Sequence, residues 1–355
     1  MWCLIPGGSF KFHHMQERKI KAVILPSYQG NIIRAVKSLK TDTISIPLPS
    51  ADEVLVQIDA APCNPSDLAF IQGGYNVRKA LPAIPGFEGC GMVVETGSDP
   101  DVMMLKGKRV SFFSQSESGG SWASHIILKA GDCLEFSPEM PVGQAACFAV
   151  NPFTAYAMVM HASASGARAI IQNAAGGQLG RFINALSAME GISVINIVRR
   201  EEQAVMLEES GAGNVLWQSD TDFQDKLSRL AHQLNAVIAF DAVGGEGSGQ
   251  LLAAMPPGGT LFVYGALGSR LLAGIPAADI IFKKKIIRGF NMNEWKEKLD
   301  SKSFSEISEK LQRFFISGKL RTLVRGSFLL EECEEALFGY IRNMSEGKIL
   351  LYAKK

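Results

Sequence analysis

Apolar and polar positions follow two different patterns along this chain. In roughly the first 150 residues, short apolar runs separated by turns rich in Gly and Pro predict strands at 21–26, 55–60, 91–95, 109–113 and 125–128. The prolines at 62, 65, 82 and 85 are expected to break the chain into loops. Such short, closely spaced strands indicate a small antiparallel barrel or sandwich.

From residue 151 onward, apolar runs of strand length alternate with segments of helical periodicity. Helices are predicted at 151–163, at 201–210, from about 222 and at 248–255, and strands at 169–171, 192–198, 214–217, 235–240, 259–265 and 285–290. This alternation is typical of an α/β fold with a doubly wound parallel sheet. The tail, 304–351, is predicted to contain two helices with core-facing apolar stripes and two short strands.

The turn between the strands at 169–171 and 192–198 has the small-residue spacing of a dinucleotide site. Ala174, Gly177 and Gly180 follow A-x-x-G-x-x-G between a strand and an apolar-periodic helix. These positions allow a sharp turn, a close approach of backbone N–H groups to a pyrophosphate, and tight helix packing. A plain glycine-rich turn is the alternative. The predicted cofactor contacts here are Ala174, Ala175, Gly176, Gly177, Gln178, Leu179 and Gly180.

The end of the second strand bears on the choice of cofactor. NAD sites usually place an acidic residue there, whereas this chain has Arg199 and Arg200. Because guanidinium groups suit the 2′-phosphate of NADP, we predict NADP(H), although a solvated helix start is the other interpretation. Later strand ends place Val243, Gly244, Tyr264 and Gly265 near the nicotinamide, and turn chemistry alone also explains these glycines.

Composition narrows the class of protein. A chain of 355 residues with 47% apolar and 20% charged residues suggests two soluble domains, and a net charge of +1 gives no sign of a nucleic-acid or membrane partner. Six scattered cysteines without a C-x-x-C pair argue against a disulfide framework and a Cys-rich zinc lobe. Residues 1–14 lack signal-peptide features, so we expect a disordered extension and a cytoplasmic location. The basic run 283–285 is expected to be solvated or to protect a sheet edge, with a basic rim for an anionic ligand as the alternative.

Several motifs together resemble the medium-chain dehydrogenase/reductase superfamily. They are NPSD (64–67), IQGGY (71–75), LPAIPGFEG (81–89), NPFTAY (151–156), QNAAGGQLG (172–180), GGTLFVYG (258–265) and FKKKIIRGF (282–290). The resemblance is closest to its zinc-free 2-enoyl thioester reductases. It implies a GroES-like β-barrel catalytic domain at 15–150 and 291–355, a Rossmann domain at 151–290, and a homodimer formed through the sixth strand of the Rossmann sheet.

Zinc-dependent members of that superfamily carry a Cys in the first loop and a Gly-His-Glu motif after it. Here Asn64 stands where the Cys would be, and Phe87 where the His would be. Because catalytic zinc needs three protein ligands, we predict that the protein holds no metal. Gln178 is a further departure, since related reductases have a glycine there.

The resemblance also implies site residues. Tyr75 corresponds to the proposed catalytic tyrosine, although a loop tyrosine more often simply packs. Asn64 and Trp122 are expected beside the substrate, and Asn151, Thr154 and Phe290 beside the cofactor. A neutral phenol suits the reaction, because hydride arriving at the β-carbon of an unsaturated thioester places negative charge on the carbonyl oxygen.

The predicted function is NADPH-dependent reduction of an activated C=C bond, with a 2-enoyl thioester as substrate. An NADPH:quinone oxidoreductase and a catalytically silent NADPH-binding protein are the alternatives.

Overall fold

A computed structural model describes residues 17–117 and 119–354, so the extension predicted at 1–14 lies outside the described residues. In the described part the strands are β1 (Arg18–Ile24), β2 (Lys40–Ile46), β3 (Glu53–Pro62), β4 (Glu88–Thr96), β5 (Arg109–Phe113), β6 (His125–Lys129), β7 (Cys133–Glu135), β8 (Ala169–Gln172), β9 (Ser193–Val198), β10 (Val215–Trp217), β11 (Ile238–Asp241), β12 (Thr260–Val263), β13 (Ile286–Gly289), β14 (Val324–Leu329) and β15 (Lys348–Tyr352). The helices are α1 (Ile32–Ser38), α2 (Pro65–Ile71), α3 (Pro100–Met103), α4 (Val142–Ala145), α5 (Asn151–Ala164), α6 (Gln178–Met189), α7 (Glu201–Glu209), α8 (Phe223–Gln233), α9 (Glu246–Ala254), α10 (Ala277–Ile281), α11 (Met292–Glu297), α12 (Ser301–Ile316) and α13 (Cys333–Arg342).

Six parallel strands form a sheet in the order β10–β9–β8–β11–β12–β13. The central strands β8 and β11 are buried along their whole length, as strands covered on both faces must be. The strand order reverses between β8 and β11, which makes the carboxyl ends of these two strands the expected binding edge. The doubly wound sheet and its strand–helix alternation are therefore confirmed.

The second large sheet has the order β14–β15–β3–β4–β5–β7, and β6 also pairs with β3. The half-buried strand predicted at 55–60 is confirmed, since Gln57 is exposed and Asp59 is partly exposed between buried neighbours. Strand β3 pairs with β4, β6 and β15. Strands β14 and β15 bring the end of the chain back to this sheet, whereas β1 and β2 form a separate antiparallel pair. The predicted limits of the two domains stay a prediction.

One expectation from the sequence is wrong, and a second holds only in part. The loop expected at Pro65 is the start of helix α2, because proline suits the first helical position, where its missing N–H leaves no bond unmade. The basic run 283–285 is not solvated throughout: the Lys285 ammonium is buried, 2.8 Å from Asp279 Oδ2, and it donates to the Leu252 carbonyl at 2.6 Å. Burial of this lysine is possible because an anion and carbonyls replace its water.

The helices of residues 17–117 and 119–354 were also compared with the length and hydropathy that a bilayer span requires. None of them is long and apolar enough to cross a membrane.

Candidate active site and cofactor site

The turn from β8 to α6 has the geometry that its small residues predict. Ala174 has a φ of 49°, in the left-handed region that permits a sharp reversal of the chain. Helix α6 begins directly after Gly177, and no side chain caps its first turn. An added Cβ on Gly180 would lie 2.5 Å from the Ala175 carbonyl oxygen, so this close packing needs glycine. The free N–H groups of the first turn of α6 fit a pyrophosphate.

The carboxyl ends of β8 and β11 are joined by a buried polar pair that the sequence reasoning missed. Asn173 Nδ2 donates to Asp241 Oδ1 at 2.6 Å, and the Ala242 N–H donates to Asn173 Oδ1 at 2.7 Å. The same carboxylate accepts from the N–H groups of Val243, at 2.8 Å, and Gly244, at 3.0 Å. Asp241 therefore fixes the loop expected near the nicotinamide.

The remaining residues predicted on this side lie after β12 and β13 and at the starts of α5 and α6. Tyr264 and Gly265 follow β12, and an added Cβ on Gly265 would lie 2.7 Å from the Ala242 carbonyl oxygen. Burial, and then Asp241, raise the pKa of Tyr264. Asn151 and Thr154 lie in the first turn of α5, where the Thr154 hydroxyl donates to the Val150 carbonyl at 2.8 Å. Phe290 and Leu179 are half-buried and pack against the core, so their side chains have a packing role.

Arg200, the second of the two arginines at the end of β9, lines a cavity. A cavity of about 250 Å³ is lined by Arg200 together with Gly176, Arg181, Glu202, Gln203, Met206, Ser345 and Glu346. Arg200 Nη2 donates to Ser345 Oγ at 3.0 Å, whereas its Nε is buried without a partner. Arg199 is exposed, and its carbonyl accepts from Trp217 Nε1 at 3.0 Å.

Arg181 and Ser345 were missed in the sequence. Arg181 lies one position after Gly180, and its Nε donates to the Gly176 carbonyl at 3.2 Å. Burial lowers the pKa of its guanidinium. Arg181 could have been found from its place in the first turn of α6. Ser345 could not, because it is far from the other cavity residues in sequence.

Gln178, the departure from related reductases, uses its side chain to hold another segment. Its Nε2 donates to the Arg321 carbonyl at 3.1 Å, and its Oε1 accepts from the Leu323 N–H at 2.8 Å. Gln144 holds the residue between them in the same way, with bonds of 3.0 and 2.8 Å to the carbonyl and N–H of Thr322. The predicted cofactor contact of Gln178 is thus limited to its backbone.

Tyr75 lies in the loop after α2, with its ring centroid 5.4 Å from that of Phe87. Its hydroxyl oxygen accepts from Gln115 Nε2 at 3.1 Å. Burial, and then the Asp67 carboxylate, raise the pKa of this phenol, whereas the bond from Gln115 lowers it. The phenol is therefore protonated at neutral pH and can donate a hydrogen bond.

Gln115, the hydrogen-bond partner of Tyr75, also lines a second cavity, which is larger than the one at Arg200 and was not predicted from the sequence. This cavity of about 410 Å³ is lined by Phe113, Gln115, Asp132, Leu134, Ala149, Phe153, Met292, Asn293, Trp295, Lys296, Glu297 and Phe304. Its walls are mostly apolar and aromatic, and a few polar groups lie among them, as in many small-molecule sites. The aromatic residues of 292–304 were the available signal.

A buried polar network lies behind Tyr75. Asn64 Nδ2 donates to Glu88 Oε2 at 2.9 Å, and the Asn64 N–H donates to Asp67 Oδ2 at 2.7 Å. The Lys348 ammonium donates to Asn64 Oδ1, and Glu88 Oε1 accepts from the Val150 N–H at 2.9 Å. The network thus joins α2, β4, β15 and the start of α5.

Two residues predicted beside the substrate have other roles. Both polar atoms of the Asn64 amide are taken up by Glu88 and Lys348, so this side chain holds the network. Trp122 is fully buried, and its Nε1 donates to the Pro62 carbonyl at 3.2 Å. Trp122 is therefore a core residue. The sequence could not show this, because Gly-Gly-Ser-Trp gives no information on which way the indole points.

Burial dominates the electrostatics of the network. It raises the pKa of Asp67 and that of Glu88 to about 7, although Lys348 lowers both. Nearby, burial lowers the pKa of Lys79 to about 8. Among the described residues, no group of three His, Cys, Asp or Glu side chains is placed to hold a metal ion.

Comparison with protein-family models gives two matches. Residues 50–138 match the alcohol dehydrogenase GroES-like domain, and residues 179–312 match the family described as zinc-binding dehydrogenase.

Relatives and solved structures extend this comparison over most of the chain. A mitochondrial enoyl-[acyl-carrier-protein] reductase of Caenorhabditis elegans is 32% identical over 290 residues, 80% of this chain and 81% of that protein. The crystal structure of a putative NADPH:quinone reductase from Mesorhizobium loti has a TM-score of 0.88 and 29% identity, covering 94% of this chain and 98% of that one. A mutant of Etr1p in complex with NADP and crotonyl-CoA has the same fold, with a TM-score of 0.76 at 22% identity, covering 95% of this chain and all of that one.

Proposed function

Because this chain belongs to the medium-chain dehydrogenase/reductase superfamily, in the branch of the enoyl and quinone reductases, we propose that it reduces the activated C=C bond of a 2-enoyl thioester with NADPH. The observation that carries this proposal is Tyr75. Its protonated phenol is hydrogen-bonded to Gln115, which lines a largely apolar cavity with room for a substrate.

The cofactor residues fit NADPH. The sharp turn at Ala174 and the uncapped first turn of α6 suit its pyrophosphate. The cavity at Arg200 and Arg181 suits the 2′-phosphate, which would supply the acceptor that Arg200 Nε lacks. When bound, NADPH supplies a hydride to the β-carbon of the substrate.

The chain contributes charge stabilisation and exclusion of water. As negative charge develops on the thioester oxygen, the Tyr75 hydroxyl donates a hydrogen bond to it or a proton to the α-carbon. The apolar wall formed by Phe113, Phe153, Trp295 and Phe304 keeps water from the substrate, which strengthens this interaction.

The direct test is NADPH oxidation measured with crotonyl-CoA, longer 2-enoyl thioesters, quinones and simple enones. We expect the highest kcat/KM with an enoyl thioester. A preference for quinones would favour the second candidate, an NADPH:quinone oxidoreductase, which the match to the Mesorhizobium loti structure supports. NADPH binding without turnover of any electrophile would identify a silent NADPH-binding protein.

We also propose that the reaction needs no zinc. Lys348 places an ammonium against Asn64, where an additional cation would be repelled, and Phe87 offers no ligand atom. Elemental analysis of the purified protein should give less than stoichiometric zinc, and chelation should leave turnover unchanged. One zinc per chain, with turnover lost on its removal, would contradict the proposal.

A homodimer is the proposed assembly. Strand β13 is an edge of the six-stranded sheet, and beside it Ile281 and Phe282 are 65% and 79% exposed. An unpaired edge beside exposed apolar residues favours pairing with a second copy. Light scattering should give a dimer that Ile281→Asp with Phe282→Asp dissociates, whereas Met104→Asp at another exposed site should leave it intact; a monomeric parent protein would end this proposal.

The cytoplasmic location remains a proposal too, and the relatives are named as mitochondrial proteins. Imaging of the full chain with a C-terminal fluorescent tag would decide between the two compartments.

A further inference from the structure

Two amide side chains hold the phenol of Tyr75 in a short chain of hydrogen bonds. Gln115 Nε2 donates to Tyr75 Oη at 3.1 Å, and Asn293 Nδ2 donates to Gln115 Oε1 at 3.3 Å. The three residues come from the loop after α2, the loop after β5 and helix α11. No local turn explains the arrangement, because the partners are 40 and 178 positions apart in sequence.

The order of the bonds decides what the phenol can do. With its carbonyl oxygen taken up by Asn293, Gln115 presents its NH₂ group to Tyr75, so the phenol oxygen accepts there. Its own hydrogen must then point elsewhere. No described residue accepts a hydrogen bond from the Tyr75 hydroxyl, so this donor is free for a ligand.

We propose that Gln115, itself oriented by Asn293, is a positioning residue that keeps the Tyr75 hydroxyl as a donor toward the substrate carbonyl oxygen. Gln115 also lies on the wall of the larger cavity, so its amide joins the phenol to the residues around that space. A glutamine turned the other way would accept a hydrogen bond from the phenol O–H, and that donor would then be unavailable to the substrate. This role rests on the proposed enoyl reduction.

Charged groups surround the phenol on several sides. Asp67 lies on α2, Arg78 and Lys79 lie in the loop that follows Tyr75, and Arg270 lies against Gly74. Asp132, Lys296 and Glu297 lie around the cavity. All of them remain when Gln115 alone is changed, so a change in the phenol pKa between variants reports the hydrogen bond.

The experiment compares Gln115→Leu, which removes the donor, with Gln115→Glu, which replaces it by an acceptor. The first readout is the pKa of position 75 in the resting protein, measured by absorbance with difluorotyrosine incorporated there so that the phenol titrates at a lower pH. Gln115→Leu should raise this pKa by about 0.4–1.1 units, the equivalent of one neutral hydrogen bond. A fall or no change would overturn the proposal, because it would mean that the phenol was donating to Gln115 or was not bonded to it.

The second readout is turnover of crotonyl-CoA at saturating NADPH. Gln115→Glu is closer in shape to the parent, yet it should lower kcat more than Gln115→Leu, since its carboxylate accepts the hydrogen bond that the phenol would otherwise donate to the substrate. Asn293→Leu should lower kcat less than either, and Gln72→Leu, which removes a side-chain bond to Gly30 in the same loop region, should leave it unchanged. Equal losses from Gln115→Glu and Gln115→Leu would overturn the orientation argument.

The pKa readout needs no turnover, which separates this proposal from the proposed function. A fully active Tyr75→Phe variant would contradict the role of Tyr75 in enoyl reduction, whereas an unshifted phenol pKa in Gln115→Leu contradicts the positioning role itself.

Discussion

At the scale of single residues, the proposed reaction depends on the protonation state of Tyr75. Burial and Asp67 both raise the pKa of the phenol, so its proton is present throughout the neutral range. Tyr75→Phe keeps the ring against Phe87 and removes the hydroxyl, which is both the donor and the acceptor of the bond from Gln115. We expect kcat for an enoyl thioester to fall by about 10²–10³, as when one transition-state donor is lost.

The control for this variant is cofactor affinity, measured by fluorescence titration. NADPH should bind Tyr75→Phe as it binds the parent, because no cofactor residue is altered. Loss of both affinity and turnover would mean that Tyr75 is a packing residue, and unaltered reduction of enoyl thioesters would mean that Tyr75 is not the catalytic donor.

The second prediction for single residues concerns Arg200 and the preference for NADPH over NADH. NADPH should bind at least tenfold more tightly than NADH, since charge-assisted bonds to a phosphate contribute about 1.5–3 kcal/mol each. Arg200→Ala should remove most of the preference and Arg199→Ala little, because only Arg200 lines the cavity. Calorimetric titration with both cofactors measures this, and equal dissociation constants in the parent protein would contradict it.

Sequence reasoning found residues at this scale when their role depends on local order along the chain. Ala174, Gly177 and Gly180 could be predicted because a strand, a turn and a helix follow one another there. Asn64 and Trp122 were misplaced, since the partners that occupy their polar atoms, Lys348 and Pro62, are distant in sequence. Gln115 was missed for the same reason, because its partners come from another loop and from helix α11.

At the scale of elements, the segment 321–323 before β14 is held from two sides. Gln178 in α6 bonds Arg321 and Leu323, and Gln144 in α4 bonds Thr322 between them. The start of the cofactor helix is therefore fixed against the segment that leads into the last two strands. The sequence predicted α6 and β14, but side-chain bonds between elements have no periodic signature.

Gln178→Leu and Gln144→Leu form a matched pair of variants that tests these hydrogen bonds to residues 321–323. Each removes two hydrogen bonds, so each should lower the free energy of unfolding by about 1–3 kcal/mol, measured by denaturant titration. Only Gln178→Leu should also weaken NADPH binding, by a few-fold, because only Gln178 begins the helix at the cofactor turn. Equal NADPH affinity in the two variants would show that the bonds from Gln178 to residues 321 and 323 do not affect the cofactor site.

At the scale of the whole molecule, the buried network couples stability to pH. In the unfolded chain the carboxyl groups of Asp67 and Glu88 have pKa values near 4, and burial raises each to about 7. Between about pH 4 and pH 7 the folded protein therefore binds more protons than the unfolded chain. This contribution to the free energy of unfolding is present at low pH and is lost as pH rises through the folded pKa.

Asp67→Asn tests this coupling, because Asp67 Oδ1 has no partner and an amide can occupy the same space. The free energy of unfolding should fall less between pH 5 and pH 8 in Asp67→Asn than in the parent, at about 1.4 kcal/mol per unit of pKa difference removed. Comparing the two proteins at each pH cancels the other titrating groups. Parallel stability curves for the two proteins would contradict a raised pKa at Asp67.

The doubly wound sheet was predictable at this scale because its strands and helices alternate locally. The buried network of Asn64, Asp67 and Glu88 could not be predicted, because the Lys348 ammonium that completes it belongs to β15, the last described strand.

That late arrival has a consequence for synthesis on the ribosome. Lys348 follows its partner Asn64 by 284 positions, and β15 pairs with β3. At about 5–20 residues per second, roughly 15–60 seconds pass between the emergence of the two ends. Until then β3 can pair with β4 and β6 but lacks β15 beside Ala61 and Pro62, and two buried carboxyls lack their cation. The strands of the six-stranded sheet have all been made before β15 emerges. We therefore expect nascent chains to complete the six-stranded sheet first and to depend on chaperones at the unpaired end of β3.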